Sequence, residues 1–139
     1  MRVYIASKGP DIDLCRGVQA MVLAAGHEIT FDWTGPDGEF RDDWSEHPER
    51  ARALSTRERD AVRSANVLVL CTTEPTGGLG CWIETGMALA LNIPVIVLGP
   101  ARESVFWYLP QVERVPDLDA FSEWLNNSLT VHMITGWQE

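Results

Sequence analysis

Apolar positions along the chain fall into two alternating patterns. Short β-prone runs stand at Arg2–Ala6 (RVYIA), His27–Trp33 (HEITFDW), Val67–Cys71 (VLVLC) and Pro94–Leu98 (PVIVL), with a last one at Val112–Val115. Between them apolar residues recur at helical spacing. Leu14, Val18, Met21, Val22 and Ala25 mark a first helix, which Asp11 or Asp13 can cap and Gly26 stops. A second helix covers Pro48–Ala65, with the proline tolerated in its first turn, and a third covers Trp82–Asn92. A fourth starts at Pro116-Asp117 and runs through Leu118, Phe121, Leu125 and Leu129, while the tail from Thr130 carries no decisive pattern. Thr34–His47, rich in Gly, Pro and Asp, reads as a long loop, and Thr72–Cys81 as a loop containing Gly77, Gly78 and Gly80.

Strands alternating with helices predict right-handed crossovers and a parallel sheet. The expected fold is one α/β domain over residues 1–139, flavodoxin- or Rossmann-like, with a five-stranded sheet in the order 2-1-3-4-5 and helices on both faces. The continuously apolar runs VLVLC and PVIVL are the pattern of strands buried on both sides. In that strand order a crevice opens between strands one and three, and open α/β sheets bind their ligands at such a switch point. The loops there are Ser7–Pro10 and Thr72–Cys81, so topology locates the site before any chemistry is considered.

Composition narrows the function. A net charge of −9 argues against a nucleic acid polymer as partner, although a local basic spot can still hold a small phosphorylated ligand. No stretch approaches the ~20 apolar residues of a membrane helix. The first residues run straight into a strand pattern, with no signal-peptide profile. Cys15, Cys71 and Cys81 form no CxxC pair and read as reduced thiols of a cytoplasmic protein. His27, His47 and His132 have no metal-ligand spacing, so no metal is expected.

Three residues stand out chemically. Glu84 follows the glycine loop on an otherwise apolar helix. It is either a first-turn glutamate favoured by the helix dipole or a carboxylate aimed into the crevice as nucleophile or base. Gly86, mid-helix at a cost of roughly 1 kcal/mol against Ala, suggests close approach of something to the backbone and favours the second reading. Glu58 is the lone charge on the stripe Leu54, Ala61, Val62, Ala65; it either reaches water at the stripe's edge or is used. Asp60 lies round toward the charged face with Arg57 and Ser64, where solvated surface is the stronger reading, and stands as a further candidate substrate contact. Tyr4 faces away from Val3 and Ile5, as a core tyrosine or with its hydroxyl toward the crevice. Lys8 and Arg16 are the cations near the first loop, and Lys8 precedes Gly9 at a helix N-terminus, where anions are favoured; an ordinary surface lysine is the competing reading. Ser7, Gly9, Thr76, Gly78 and Gly80 complete the candidate substrate contacts.

These residues resemble a known family. The strand V-Y-I-A-S, a carboxylate on the second helix ahead of S-A-N-V-L-V-L, a glycine loop and E-T-G-M-A-L-A-L-N-I-P-V-I-V-L together look like the nucleoside 2-deoxyribosyltransferase superfamily, which includes 2'-deoxynucleoside 5'-phosphate N-hydrolases. The likeness spans about residues 1 to 100, and its E-x-G-x-A-x-x-x-x-x-P-V segment is the most specific part. It implies an enzyme in which a carboxylate attacks C1' of a deoxyribose, displaces the base and forms a covalent glycosyl-enzyme intermediate, resolved by another base or by water. Glu84 matches the nucleophile, Tyr4 the tyrosine that hydrogen-bonds it, and Glu58 the carboxylate that holds the sugar or assists the leaving base. The family usually has Asp at that last position. Where transferases often carry an Asp six residues before the nucleophile, this chain has Gly78. Thr76 is the nearest hydroxyl to the serine with which the hydrolases hold a 5'-phosphate, but the loop length differs.

The resemblance implies no metal or organic cofactor, a small nucleoside or nucleotide substrate, and a homodimer or larger assembly in which a neighbouring subunit completes the site. Six tryptophans, and Trp107, Tyr108 and Leu109 together, also hint at an apolar association patch. Two rival readings stand beside the enzyme: an inactive nucleotide-binding or sensing module on the same fold, and a glycohydrolase of another N-riboside such as NAD.

Overall fold

The computed structural model describes residues 1–39, 41–73 and 78–127. Thr76, Gly77, Leu129 and the tail from Thr130 lie outside the described residues. The chain forms β1 (Arg2–Ala6), α1 (Ile12–Ala24), β2 (Glu28–Ile29), α2 (Pro48–Ser64), β3 (Val67–Cys71), α3 (Leu79–Ala90), β4 (Val95–Leu98), β5 (Val112–Val115) and α4 (Leu118–Asn126). The strands make one parallel sheet in the order β2-β1-β3-β4-β5, as the alternation of patterns predicted.

The register explains the apolar runs. Val3 pairs with Val67 and Ile5 with Val69, while Leu68 pairs with Val95 and Leu70 with Val97. α1 packs with α4 and α2 with α3, so the central strands are covered and every residue of β3 and β4 is buried. Each such Val, Leu or Ile contributes about 1.5–3 kcal/mol on burial. Tyr4, Ile5, Leu68, Leu70 and Phe121 form the innermost layer.

Three boundaries differ from the sequence reading, each for a local reason. The expected strand His27–Trp33 is paired only over Glu28–Ile29. The Thr30 amide still donates to Val3 O at 3.0 Å. Beyond it Asp32 turns the chain: its carboxylate accepts from the Thr34 amide at 3.0 Å and from Gln19 Nε2 at 3.0 Å. An Asx-type turn thereby replaces ladder bonds, and Trp33 folds inward to donate its indole N–H to Ile5 O at 2.7 Å.

α1 begins at Ile12 after a 3₁₀ turn over Gly9–Asp11, and Asp11 occupies the N-cap position without capping through its side chain. Its carboxylate is engaged across the switch point instead, accepting from Thr73 Oγ1 at 2.7 Å and lying 3.9 Å from Lys8 Nζ.

α3 begins three residues earlier than predicted, with Gly78 extended before it and Cys81 Sγ donating to Gly78 O at 3.0 Å. Gly80 is tolerated because amides of a first turn have no intrahelical partner to lose. The helix ends at Ala90, and Asn92 takes the left-handed φ of 58° that closes it, with Ile93 N bonded to Ala88 O at 2.9 Å.

Among the described residues no helix is long and apolar enough to cross a membrane.

Gly99 ends β4 at φ +95°, and a β-carbon there would collide with the Thr72 carbonyl oxygen. Gly99→Ala is therefore expected to lower stability by about 1–3 kcal/mol, read as an earlier urea midpoint. An unchanged midpoint would show that the β3 and β4 loops can separate freely.

Candidate active site

Because β1 and β3 lie side by side, the chain leaves β1 toward α1 and returns from β3 toward α3 on the opposite helix pair. The two loops diverge and leave a crevice of about 840 Å³ at the strands' C-terminal ends, a volume suited to a small ligand. Ser7, Lys8 and Gly9 line it from the first loop, and Gly78, Gly80 and Glu84 from α3 and its approach. α2 adds Glu58. The loops meet where Gly78 faces Lys8: a β-carbon on Gly78 would lie 3.1 Å from Lys8 Cβ, so glycine permits the approach.

Glu84 sits in the second turn of α3, as its sixth residue, because the helix begins at Leu79. The helix dipole acts mainly on the first turn, so dipole stabilisation no longer accounts for this carboxylate. Its residue is 9% exposed, and Oε2 has no hydrogen-bond partner among the described residues. Burial alone pushes its pKa up to about 8. Gly80, one turn earlier, keeps the space beside it open, since a β-carbon there would stand 3.9 Å from Glu84 Oε1.

Glu58 is half-buried on the crevice-facing side of α2, and burial raises its pKa as well. Two carboxylates thus share one cavity, each biased toward its neutral form. Tyr4 is fully buried in β1, not on the crevice wall, and its hydroxyl also has no partner among the described residues.

The remaining sequence candidates divide. Ser7, Lys8, Gly9, Gly78 and Gly80 lie on the crevice wall. Asp60 does not: it is exposed and paired with Arg59 at 3.1 Å. Arg16 also lies outside, donating from Nη2 to Thr34 O at 3.0 Å. Gly86 is on the outer side of α3, so the close approach it implied is not to the crevice.

The sequence reading missed four wall residues of note. Trp33 and Trp44 come from the long loop, where no periodicity points to them. Arg52 and Ser55 stand six and three residues before Glu58, a spacing on α2 that would have found them. Arg41 braces the loop, with Nε 2.7 Å from Asp43 Oδ1 and Nη2 3.0 Å from His47 Nε2. The ligand atoms of Asp43, Glu46 and His47 lie within 4.8 Å of one another, but this guanidinium already supplies the cluster's positive charge.

The fold and the pair of carboxylates define a class: flavodoxin-like α/β domains with acids facing a crevice at the β1/β3 switch point. Comparison with solved structures narrows the fold further. The 2-deoxyribosyltransferase of the psychrotolerant bacterium Bacillus psychrosaccharolyticus superposes with a TM-score of 0.71 at 14% identity, over 94% of this chain and 95% of that one. The CMP N-glycosidase BcmB of Clostridium botulinum gives 0.59 at 15% identity, over 91% of this chain and all (100%) of the other. A conserved protein from Enterococcus faecalis gives 0.57 at 12% identity, over 90% and 96%. The first two are members of the nucleoside 2-deoxyribosyltransferase superfamily, and this chain has their fold. No family model and no curated protein sequence matches the chain.

The buried carboxylate makes stability depend on pH in a defined sense. Between the ordinary glutamate pKa of 4.5 and about 8, Glu84 is ionised when the chain is unfolded and protonated when it is folded. The folded state then binds more protons, so stability is full below the lower value and falls as pH rises through the window, by up to roughly 1.4 kcal/mol per pH unit. Glu84→Gln cannot ionise. It should match the wild type near pH 4.5 and exceed it progressively toward pH 8 in urea unfolding. A constant difference across that range would mean that Glu84 is ionised in the folded protein.

Proposed function

We propose that this protein cleaves or exchanges the N-glycosidic bond of a deoxynucleoside or deoxynucleoside 5'-monophosphate, with Glu84 as nucleophile. The observation that carries the reading is the nine-tenths buried carboxylate of Glu84 beside the switch-point crevice, whose Oε2 has no hydrogen-bond partner among the described residues, with Glu58 on the same cavity wall. Support also comes from the shared fold, since one neighbour is a 2-deoxyribosyltransferase and another a CMP N-glycosidase.

In the proposed reaction Glu84 first gives up its proton to solvent through the open crevice, and the ionised oxygen then attacks C1' of the sugar. The C1'–N bond breaks and its electron pair leaves with the base. Positive charge develops on the sugar as this happens, and a nearby carboxylate in a poorly solvated site stabilises it strongly. Glu58, whose burial favours the protonated form, donates a proton to the departing base. Water or an incoming base then attacks C1', releasing Glu84, while Glu58 accepts the proton.

Tyr4, whose buried hydroxyl has no partner among the described residues, is the proposed donor that orients Glu84. Lys8 is the crevice cation nearest the first loop and the proposed contact for a 5'-phosphate. Gly78, where related transferases often carry an acid, leaves the base to be held by other groups; Trp33, Trp44 and Arg52 offer aromatic faces and a donor there.

Free base released from a panel of ribo- and deoxyribonucleosides and their monophosphates, read by chromatography, tests this reading. Base release from the deoxy substrates is expected, and Glu84→Gln should abolish it with the fold intact. Glu58→Ala should lower turnover ~10²–10⁴-fold, whereas Asp60→Ala, on the exposed side of α2, should change little. Near-normal turnover in Glu84→Gln removes the nucleophile; binding without base release by the wild type makes the protein a nucleotide-binding module.

A further inference from the structure

α2 lines its side of the crevice from the depth to the mouth. The helix leads into β3, so its N-terminal end stands at the mouth and its later residues lie deeper. Glu58, Ser55 and Arg52 all belong to the crevice wall, each three residues from the next. At a rise of 1.5 Å per residue, Ser55 stands about 4.5 Å and Arg52 about 9 Å nearer the mouth than Glu58.

Arg52 is exposed and makes no hydrogen bond or ion pair with any described residue. Its polar neighbours at the mouth are engaged with one another. One carboxylate oxygen of Glu39 pairs with Arg50, and the other lies 3.4 Å from Arg41. Arg41 also holds Asp43 at 2.7 Å. Among the described residues, the mouth on the α2 side therefore offers an incoming molecule the Arg52 guanidinium and no uncommitted carboxylate. A guanidinium donates and never accepts. Trp33 and Trp44 do not alter that bias, because every base has a face that can stack on an indole. Ser55 does not alter it either, since a hydroxyl both donates and accepts.

We infer that the crevice selects bases that present a carbonyl oxygen, rather than an amino group, on the edge remote from the glycosidic bond, and that Arg52 reads that oxygen. The inference rests on the proposed role of Glu58 as proton donor to the departing base, which puts the base against α2. The base is then held between Glu58 at depth and Arg52 at the mouth. Two hydrogen bonds of about 2.9 Å take up most of the roughly 9 Å between these positions and leave about 3 Å, the width of one six-membered ring. Hypoxanthine, guanine, uracil and thymine carry an oxygen at that edge. Adenine and cytosine carry an amino donor, which meets the guanidinium donor to donor and leaves both groups unpaired.

Titration calorimetry on Glu84→Gln tests this without depending on turnover. Two pairs of probes differ only at the edge in question: deoxyinosine against deoxyadenosine, and deoxyuridine against deoxycytidine. The oxo member of each pair should bind ~10- to 100-fold more tightly. Arg52→Gln, added to Glu84→Gln, replaces a pure donor by a group that both donates and accepts, and should bring the two members of each pair together. The ratio of dissociation constants within a pair does not depend on how much of a variant is folded, so a merely structural effect does not imitate this result. Equal or tighter binding of the amino members, no measurable binding of either pair, or a preference that survives Arg52→Gln overturns the inference. Base release is read separately on the wild type. Selective binding without release keeps the inference and removes the proposed reaction, whereas release with no oxo preference in binding does the reverse.

Discussion

The direct pairing of β1 with β3 is the constraint on which the other features depend. Val3 to Ala6 lie against Val67 to Leu70 although α1, β2, a long loop and α2 intervene in the chain. Such non-local pairing is held by backbone hydrogen bonds and by burial on both faces, and neither can be met unless helices cover each side. The two strands feed helices of opposite layers, so their loops must part. The crevice is the space left by that divergence. Thr73 and Asp11, each just past one of the two strands, bridge it at 2.7 Å and hold the parting loops in fixed relation.

Within that space the environment sets the chemistry of the carboxylates. Glu84 is buried on α3, and no cation compensates it among the described residues. An uncompensated buried acid is costly when charged, and the protein avoids that cost by holding the proton. Such a site is stable empty, and it rewards a ligand on which positive charge develops. Glu58 experiences the same bias more weakly, being nearer water at the crevice wall.

α3 joins this chemistry to the outer surface. Its inward residues, Cys81, Glu84, Thr85 and Ala88, are buried, and Glu84 among them reaches the crevice. Its exposed residues Leu79 and Ile83 stand at the crevice rim.

The periodicities of single residue runs determined a great deal. The short, β-branched continuous apolar runs VLVLC and PVIVL carry the pattern of strands buried on both faces and so marked the sheet's centre; spacing of three and four marked α2 and put Glu58 on its apolar side. Strand order followed because alternating elements leave few unknotted arrangements. What tertiary structure alone decided depended on partners distant in sequence. β2 ended early because Asp32 found Gln19 and Thr34; Asp11 gave up its capping role to Thr73; Trp33 and Trp44 reached the crevice through a loop without period. Gly86 is the clearest instance. Its presence in a helix suggested a close approach at the crevice, but the direction a helical residue faces depends on helix phase relative to the sheet, which only packing sets, and packing turned Gly86 outward, away from Glu84 and with no described atom within 4 Å of a β-carbon there.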